Sequence, residues 1–257
     1  MMRHLLVAPT LIAVLASGAH AAPTKDEAAC QQQAARQLGT AALKRIKCLV
    51  GCDKQALKGK VPGTDCLPPY AGVTRTCVDT VGTKALGTIA KKCTIDCPEC
   101  WSGGDCEAHT AGLLSTVTTV LDGVVPLVRC DDDASPDGLT KTEAKVRQKV
   151  ATTVGTYALG TEKCLATCRA GESSGKIPAG SCEGLDSTDP KALACLIKVA
   201  IKAFDVFESP DLDTPECLAP NLPLALPVLG GIVDELDPQI FCASPSAAFV
   251  AQNDIFE

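Results

Sequence analysis

The stretch KCLVGC at residues 47–52 is followed by KGKVPGTDC at residues 58–66. The same arrangement returns as KCLATC at residues 163–168 and GKIPAGSC at residues 175–182. In both places the second cysteine lies four residues after the first, and the third lies fourteen residues after the second. Residues four apart share one face of a helix. Each triplet therefore predicts a helix whose end is stapled to the loop that follows it.

Matching residues surround both triplets at an offset of 116, the distance from Cys48 to Cys164. TKDE at 24–27 matches TKTE at 140–143, and GTAAL at 39–43 matches GTYAL at 155–159. Self-similarity that keeps its order predicts an internal duplication. We expect one helical repeat at residues 22–130 and a second at residues 131–257, packed either as one domain or as two.

Each repeat is predicted to hold three helices, A, B and C, with A and B forming an antiparallel hairpin. Both TxxE stretches are capping boxes that begin helix A, and apolar residues then recur every three, four or seven positions. Helix C covers about residues 107–125 in repeat 1. In repeat 2, Pro223 and Pro227 predict a broken helix at about residues 226–235. No alternation typical of strands competes, so the predicted fold class is all-α.

Residues 1–21 have the pattern of a secretory signal peptide. Arg3 precedes a mostly apolar run, and Ala19-His20-Ala21 forms a small-x-small cleavage site. All 16 cysteines follow that site, and an even number of cysteines in an exported chain is typical of disulfides. These features predict a secreted protein (extracellular, periplasmic or at the cell surface) with no membrane span in the mature chain.

Residue spacing predicts part of the disulfide pattern. In an antiparallel hairpin, Cys30–Cys93 and Cys48–Cys77 form rungs 18 and 16 residues apart, about 27 and 24 Å along the two helices. If Cys52 rather than Cys48 were paired with Cys77, the two rungs would be about 33 Å apart on the first helix but about 24 Å apart on the second, a mismatch that disulfide geometry does not tolerate. The predicted pairs of repeat 1 are therefore Cys30–Cys93 and Cys48–Cys77, with Cys52–Cys66 closing the loop.

The second repeat shows the same spacing, with Val146 where the first has Cys30, so the lower rung is absent there. The remaining cysteines are expected to tie each helix C to its own hairpin. The other predicted pairs are Cys164–Cys195, Cys168–Cys182, Cys97–Cys106, Cys100–Cys130 and Cys217–Cys242.

Charge argues against nucleic acid as a partner. The chain has a net charge of −6, and its halves differ: residues 22–130 hold 13 basic against 10 acidic side chains, and residues 131–257 hold 10 against 20. Only 3% of the residues are aromatic. An acidic chain without a basic face carrying aromatic side chains does not resemble a nucleic-acid binder.

Enzyme motifs are interpreted here as structural features. Cys97 and Cys100 have the C-x-x-C spacing of thiol–disulfide exchangers, but they follow helix B among other cysteines, so structural bridges are the prediction. His109 is the only imidazole after the signal peptide. With no partner for a catalytic triad in the sequence, it is expected to be an exposed polar residue. We therefore expect no enzymatic activity and no cofactor.

One stretch has the form of a calcium-binding loop. Asp133, Ser135 and Asp137 alternate and precede Gly138, as oxygen ligands and a tight turn do in such loops. The twelfth position is Ala144 rather than a bidentate glutamate, and repeat 1 has no counterpart. A linker before a capped helix explains the same residues, so no metal site is predicted and this stretch is kept as a weak calcium candidate.

The KCLxxC…GKxPxGxxC arrangement, duplicated after a signal peptide, resembles uncharacterised secreted cysteine-rich repeat proteins of bacteria. This resemblance spans most of the mature chain and implies no particular function. The helical layout and the C-x-x-x-C spacing are also similar to those of insect odorant-binding proteins, which are disulfide-bonded carriers of apolar ligands. The later cysteine spacing departs from theirs, and those proteins are not duplicated.

The sequence therefore favours a secreted, non-enzymatic, disulfide-rich helical scaffold with a structural or protein-binding role, its partner being an unknown protein or cell-surface component. The alternative is a carrier of a small apolar ligand in a pocket between helices, suggested by the nearly all-apolar residues 110–128.

Overall fold

The computed structural model describes residues 23–94, 97–98, 100–101, 105–129, 140–209, 218 and 222–242. It is all-helical, as predicted, with no strand among these residues. The helices are α1 Lys25–Ala56, α2 Gly72–Lys92, α3 Cys106–Arg129, α4 Lys141–Ser173, α5 Pro190–Phe207 and α6 Leu222–Phe241. Short 3-10 turns at Gly63–Cys66 and Gly184–Asp186 precede α2 and α5.

Both long helices begin at the predicted capping boxes. The Thr24 hydroxyl oxygen accepts a hydrogen bond from the Glu27 amide at 3.2 Å, and the Glu27 carboxylate accepts one from the Thr24 amide at 2.6 Å. Thr140 and Glu143 repeat the exchange at 3.2 and 2.8 Å. Each exchange satisfies two backbone donors that a helix start otherwise leaves unpaired. Thr140 also holds the pKa of Glu143 below its ordinary value through these hydrogen bonds.

Helices α1 and α4 cross in contact at two glycines. A Cβ atom on Gly39 would lie 3.2 Å from the Cα of Leu159, and one on Gly155 would lie 3.1 Å from the Cα of Leu43. The contacts are reciprocal, and their order shows that the two helices run antiparallel. A side chain at either position would crowd the backbone of the facing helix, so glycine favours this close approach. The main buried core continues through the crossing, with members from both halves of the chain, among them Leu38, Ile46, Val150, Val154 and Phe241.

Each long helix forms a disulfide-stapled hairpin with the helix that follows it. The first hairpin, α1/α2, and the second hairpin, α4/α5, both have the register predicted from residue spacing. Six predicted pairs are present: Cys30–Cys93, Cys48–Cys77, Cys52–Cys66, Cys97–Cys106, Cys164–Cys195 and Cys168–Cys182. The internal duplication itself stays a prediction.

The predicted pairs Cys100–Cys130 and Cys217–Cys242 are wrong, because Cys100 is bonded to Cys242. The C-terminal end of α6 packs on the start of α3, and the Trp101 indole donates a hydrogen bond to the Ile240 carbonyl at 3.1 Å. The prediction assumed that each half closes on itself. Spacing constrains neighbours in a hairpin, but it does not indicate which distant helix packs alongside. Cys130 and Cys217 lie outside the described residues.

The break predicted in the last helix is also wrong, since α6 runs continuously from Leu222 to Phe241. Pro223 lies in the first turn, where an amide has no intrahelical acceptor, so its missing donor has no consequence there. Pro227 lies four residues later and forgoes one backbone hydrogen bond. No described helix combines the length and apolar character that a membrane crossing requires. The predicted signal segment, residues 1–21, lies outside the described residues.

Candidate functional site

Cys97 and Cys100 belong to separate disulfides. Cys97 is bonded to Cys106, the first residue of α3, and Cys100 is bonded to Cys242 at the end of α6. A C-x-x-C exchanger works by closing a bond between its own two sulfurs. The geometry here gives both cysteines the structural role that the sequence predicted.

His109 is buried, so the prediction of an exposed residue is wrong. Its ring stacks on Trp101, with centroids 4.8 Å apart and planes inclined by 15°, and its Nε2 donates to the Gln239 carbonyl oxygen at 3.1 Å. The hydrogen bond to Gln239 fixes α6 against α3, and the stacking holds Trp101 against the first turn of α3. Sequence reasoning missed this role because nothing local to His109 reveals that residues 130 positions away cover it.

Metal binding finds no support within the described part of the chain. The one group of potential ligands consists of Cys30, Cys93 and Cys106, and these sulfurs are in disulfides and cannot act as thiolates. The weak calcium candidate Asp133, Ser135 and Asp137 lies outside the described residues and stays a prediction.

Glu162 places a carboxyl group in the core, beside the helix crossing. It faces a cavity of about 30 Å³ at Gly39, whose lining includes Leu38, Ala42, Leu121, Ala158 and Leu236. Burial raises the pKa of Glu162 to about 8, and the nearby charge of Asp237 adds to the shift. Apolar surroundings disfavour the charged form. Glu162 is therefore a protonated acid at neutral pH.

A second buried polar cluster ties α4 to α6. Arg169 forms ion pairs with Asp237 and, at 2.9 Å, with Glu172, and all three side chains are largely shielded from solvent. Burial by itself would lower the pKa of Arg169. The carboxylates of Asp237 and Glu172 outweigh that effect and hold this pKa above its ordinary value. Glu172 also accepts a hydrogen bond from the Cys182 amide at 3.0 Å. The cluster joins α4, α6 and the loop before α5, which is a structural arrangement.

The outer side of α5 carries large apolar side chains in contact with solvent. Leu193, Ile197, Ile201 and Phe204 are 41, 48, 53 and 44% exposed. Spacings of four, four and three residues place them in one stripe on the helix, which we call the α5 stripe. A different face of α5, formed by Ala192, Leu196 and Ala203, is buried. The helix is thus apolar on two faces, of which the fold covers one.

The equivalent positions of α2 are mostly polar. Counted from the half-cystines Cys77 and Cys195, the four positions of the stripe correspond to Arg75, Asp79, Thr83 and Leu86. Arg75 and Asp79 lie within 3.7 Å of each other and are well exposed. The hairpin architecture therefore does not itself require an apolar outer face, and α5 has one for another reason.

Two open grooves run along the hairpins. The groove between α1 and α2 has a volume of about 850 Å³ and the one beside α5 about 580 Å³, and both are lined largely by threonine, lysine and small apolar residues. Several of the threonine hydroxyls are used in hydrogen bonds to backbone carbonyls four residues earlier, as for Thr80 and Thr156. Neither groove is an enclosed apolar site.

No protein family, curated protein or solved structure matches this chain. Because no similar protein points to a site, the functional argument depends on the structure, and the α5 stripe is the strongest functional feature of the described residues. The sequence-based expectations did not include it. A signal for it was present, because the sequence ALACLIKVAIKAF at 192–204 has too many apolar residues for one buried face of a helix.

Proposed function

We propose that this protein is a secreted, non-enzymatic helical scaffold that binds a protein partner through the α5 stripe. The observation that carries the proposal is the contrast between Leu193, Ile197, Ile201 and Phe204 and the mostly polar residues at the same positions of α2. Contiguous apolar surface on a water-exposed helix marks a protein interaction site. Arginine and aspartate at the same positions of α2 are compatible with permanent contact with water.

Disulfide content supports the secreted part of the proposal. Every cysteine of the described residues is in a disulfide, and such bonds persist in oxidising compartments. The signal-peptide pattern at residues 1–21 indicates the same destination. A core built from small side chains and held by covalent staples suits a scaffold that must stay folded outside the cytoplasm.

The alternative, a carrier of a small apolar ligand, gains no support from the described residues. The cavity beside Glu162 measures about 30 Å³, which is room for one water molecule. Drug-sized ligands occupy pockets roughly ten times larger or more. The larger grooves are open and partly polar, so they do not shield an apolar ligand from water.

A photo-cross-linker at Ile201 tests the proposal. Benzoylphenylalanine replaces Ile201 on the α5 stripe, and in a matched control it replaces Thr83 at the equivalent position of α2. The protein is irradiated in the culture that secretes it. We expect a discrete cross-linked protein species from position 201 and none from position 83. Absence of any adduct at position 201, or equal adducts at both positions, contradicts a docking role for α5.

A further inference from the structure

We infer that the α5 stripe docks a second copy of this chain, through antiparallel pairing of two α5 helices. This inference rests on the proposed function, because it names the partner of the same face. It is argued from the symmetry of the stripe, from the charges beside it and from its size.

The stripe is the same when read in either direction. The midpoint between Leu193 and Phe204 falls at position 198.5, and the midpoint between Ile197 and Ile201 falls at 199. A two-fold axis through this point places Ile197 of one copy opposite Ile201 of the other, and Leu193 opposite Phe204. A two-fold interface requires such self-complementarity.

Small residues beside the stripe leave room for close packing. Ala194 is exposed and Ala200 is half-buried, and they lie on the two edges of the stripe. Paired helices pack when the side chains of one enter the spaces between those of the other. The two alanines provide such spaces at both edges.

Charge complements the antiparallel arrangement. Lys191 and Asp205 are exposed and fourteen residues apart, close to four helical turns, so they share one edge of α5. In antiparallel pairs an edge meets its own counterpart in reverse order. Lys191 of one copy then faces Asp205 of the other, with Glu208 one turn away, and the contact occurs twice. In a parallel pairing this edge would lie against the opposite edge of the partner helix, so Lys191 and Asp205 would not face each other.

One charge opposes the association. Lys198 lies midway between Lys191 and Asp205 on the same edge, so the two copies bring their Lys198 side chains together near the axis. Long lysine side chains can turn outward into water, which reduces the repulsion without removing it. This residue gives the arrangement a distinctive test, because removing its charge should strengthen a dimer.

The size of the face sets the strength of the association. The stripe spans twelve residues, about 16 Å along the helix. A standard stable interface buries roughly 800 Å² on each partner, more than one face of an 18-residue helix supplies. The dimer is therefore expected to be weak and reversible, with a dissociation constant on the order of tens of micromolar.

Sedimentation equilibrium of the mature protein, from a few micromolar to about 1 mM, is the first test. We expect reversible dimerisation that Ile197→Ser with Ile201→Ser weakens at least tenfold. The matched control, Asp79→Ser with Thr83→Ser on α2, should leave it unchanged. Circular dichroism confirms that each variant is folded. A wild-type protein that stays monomeric throughout, or a dimer that the Ile variant leaves intact, overturns the inference.

Charge reversal tests the antiparallel geometry separately. Lys191→Glu and Asp205→Lys should each weaken the dimer about threefold to tenfold, and the double variant should restore it because the pairs are re-formed in reverse. Lys198→Ala should tighten it. Failure of the double variant to restore association rules out the antiparallel pairing.

Cross-linking distinguishes failure of this inference from failure of the proposed function. With benzoylphenylalanine at Ile197 and a mixture of ¹⁴N- and ¹⁵N-labelled chains, we expect mixed-label adducts on the peptide that contains Ile201. If the purified chain is monomeric and the adduct contains a different protein, the inferred self-association is wrong, but the proposal that the α5 stripe binds a protein partner stands. A link within one chain to residues 243–257 overturns both proposals, as does the absence of any adduct.

Discussion

The first and second hairpins share their staples but differ in what surrounds them. Cys48–Cys77 closes 29 residues and Cys164–Cys195 closes 31, while Cys52–Cys66 and Cys168–Cys182 each close 14. Beside these matched bonds, the first hairpin has mostly polar residues at the four positions where the second presents the α5 stripe. Covalent staples fix the hairpin, so its outer face is free to vary. The outer face of each hairpin therefore points to function, whereas the disulfides only stabilise the hairpin.

The interiors of the two hairpins differ as well. Ile46 and Glu162 occupy positions 116 residues apart, and both are buried at the helix crossing. The first hairpin holds α3 through Arg45, whose guanidinium bonds Asp122 at 2.7 Å beside Tyr70. The second hairpin holds α6 through Arg169 and Asp237. The same docking task is thus performed by a partly exposed ion pair in one half and a buried one in the other.

The largest expected effect is at the crossing that the two hairpins share. Gly155→Leu introduces a side chain whose first atom would lie 3.1 Å from the Leu43 Cα, so the helices must separate. We expect a loss of roughly 3 kcal/mol or more in the free energy of unfolding, or failure to fold. Gly51→Ala in α1 is the control. Its Cβ meets nothing within 4 Å, and a gain of up to about 1 kcal/mol is expected from helix propensity.

Chemical denaturation measures both glycine variants. Equal and small changes at Gly155 and Gly51 would contradict the close approach of the two long helices.

The two ion pairs should differ in strength. Arg169→Met leaves Asp237 buried without its cation, which costs about 3–5 kcal/mol. Arg45→Met leaves Asp122, whose side chain is 33% exposed, and solvent compensates, so about 1 kcal/mol is expected. Urea unfolding of Arg169→Met, of the double variant Arg169→Met/Asp237→Asn and of Arg45→Met measures the losses in stability and checks their ranking. A loss for Arg45→Met as large as for Arg169→Met would show that burial is not the deciding difference.

Glu162 should make the stability of the folded protein depend on pH. Its pKa is about 8 in the folded protein against 4.5 as the ordinary value, so the folded state retains a proton that the unfolded state releases. Wild-type stability should therefore fall relative to Glu162→Gln as pH rises from 4.5 to 8, by up to about 1.4 kcal/mol per pH unit. Below pH 4.5 the difference between the two should be constant.

Urea midpoints measured from pH 4 to 8.5 test the Glu162 prediction. Parallel curves for wild type and Glu162→Gln would mean that the carboxyl reaches water. Glu162→Leu, which supplies an apolar side chain as Ile46 does in the first hairpin, should likewise remove the dependence.

The smallest effect is expected on the outer face of α2. Arg75→Ala breaks an exposed ion pair at 3.7 Å, and such pairs contribute about 0–1 kcal/mol. The free energy of unfolding should change by less than about 0.5 kcal/mol, and self-association should not change at all. A change in the dissociation constant of the dimer caused by Arg75→Ala would indicate that the interface involves α2 and not α5.

The helices, their starts and most of the covalent staples could be predicted from the sequence because each depends on local spacing. The capping boxes need only a residue and its third neighbour. The rungs Cys30–Cys93 and Cys48–Cys77 need only two helices joined by a short loop. The candidate site was different. The α5 stripe becomes visible only when Ala192, Leu196 and Ala203 are seen to take the single face that the fold covers.

By itself, then, the sequence determined an all-helical chain built from stapled hairpins, since periodicity, capping and cysteine spacing act over one or two turns or across one loop. The tertiary structure alone decided that Cys100 bonds Cys242, that His109 is buried, and that Glu162 is kept protonated in the core. All three depend on contacts that residues of α6, or Cys242 after it, make with residues more than 70 positions earlier in the chain. Contacts at that separation depend on which apolar faces the hairpins leave for another helix to cover, and local residue spacing does not predict them.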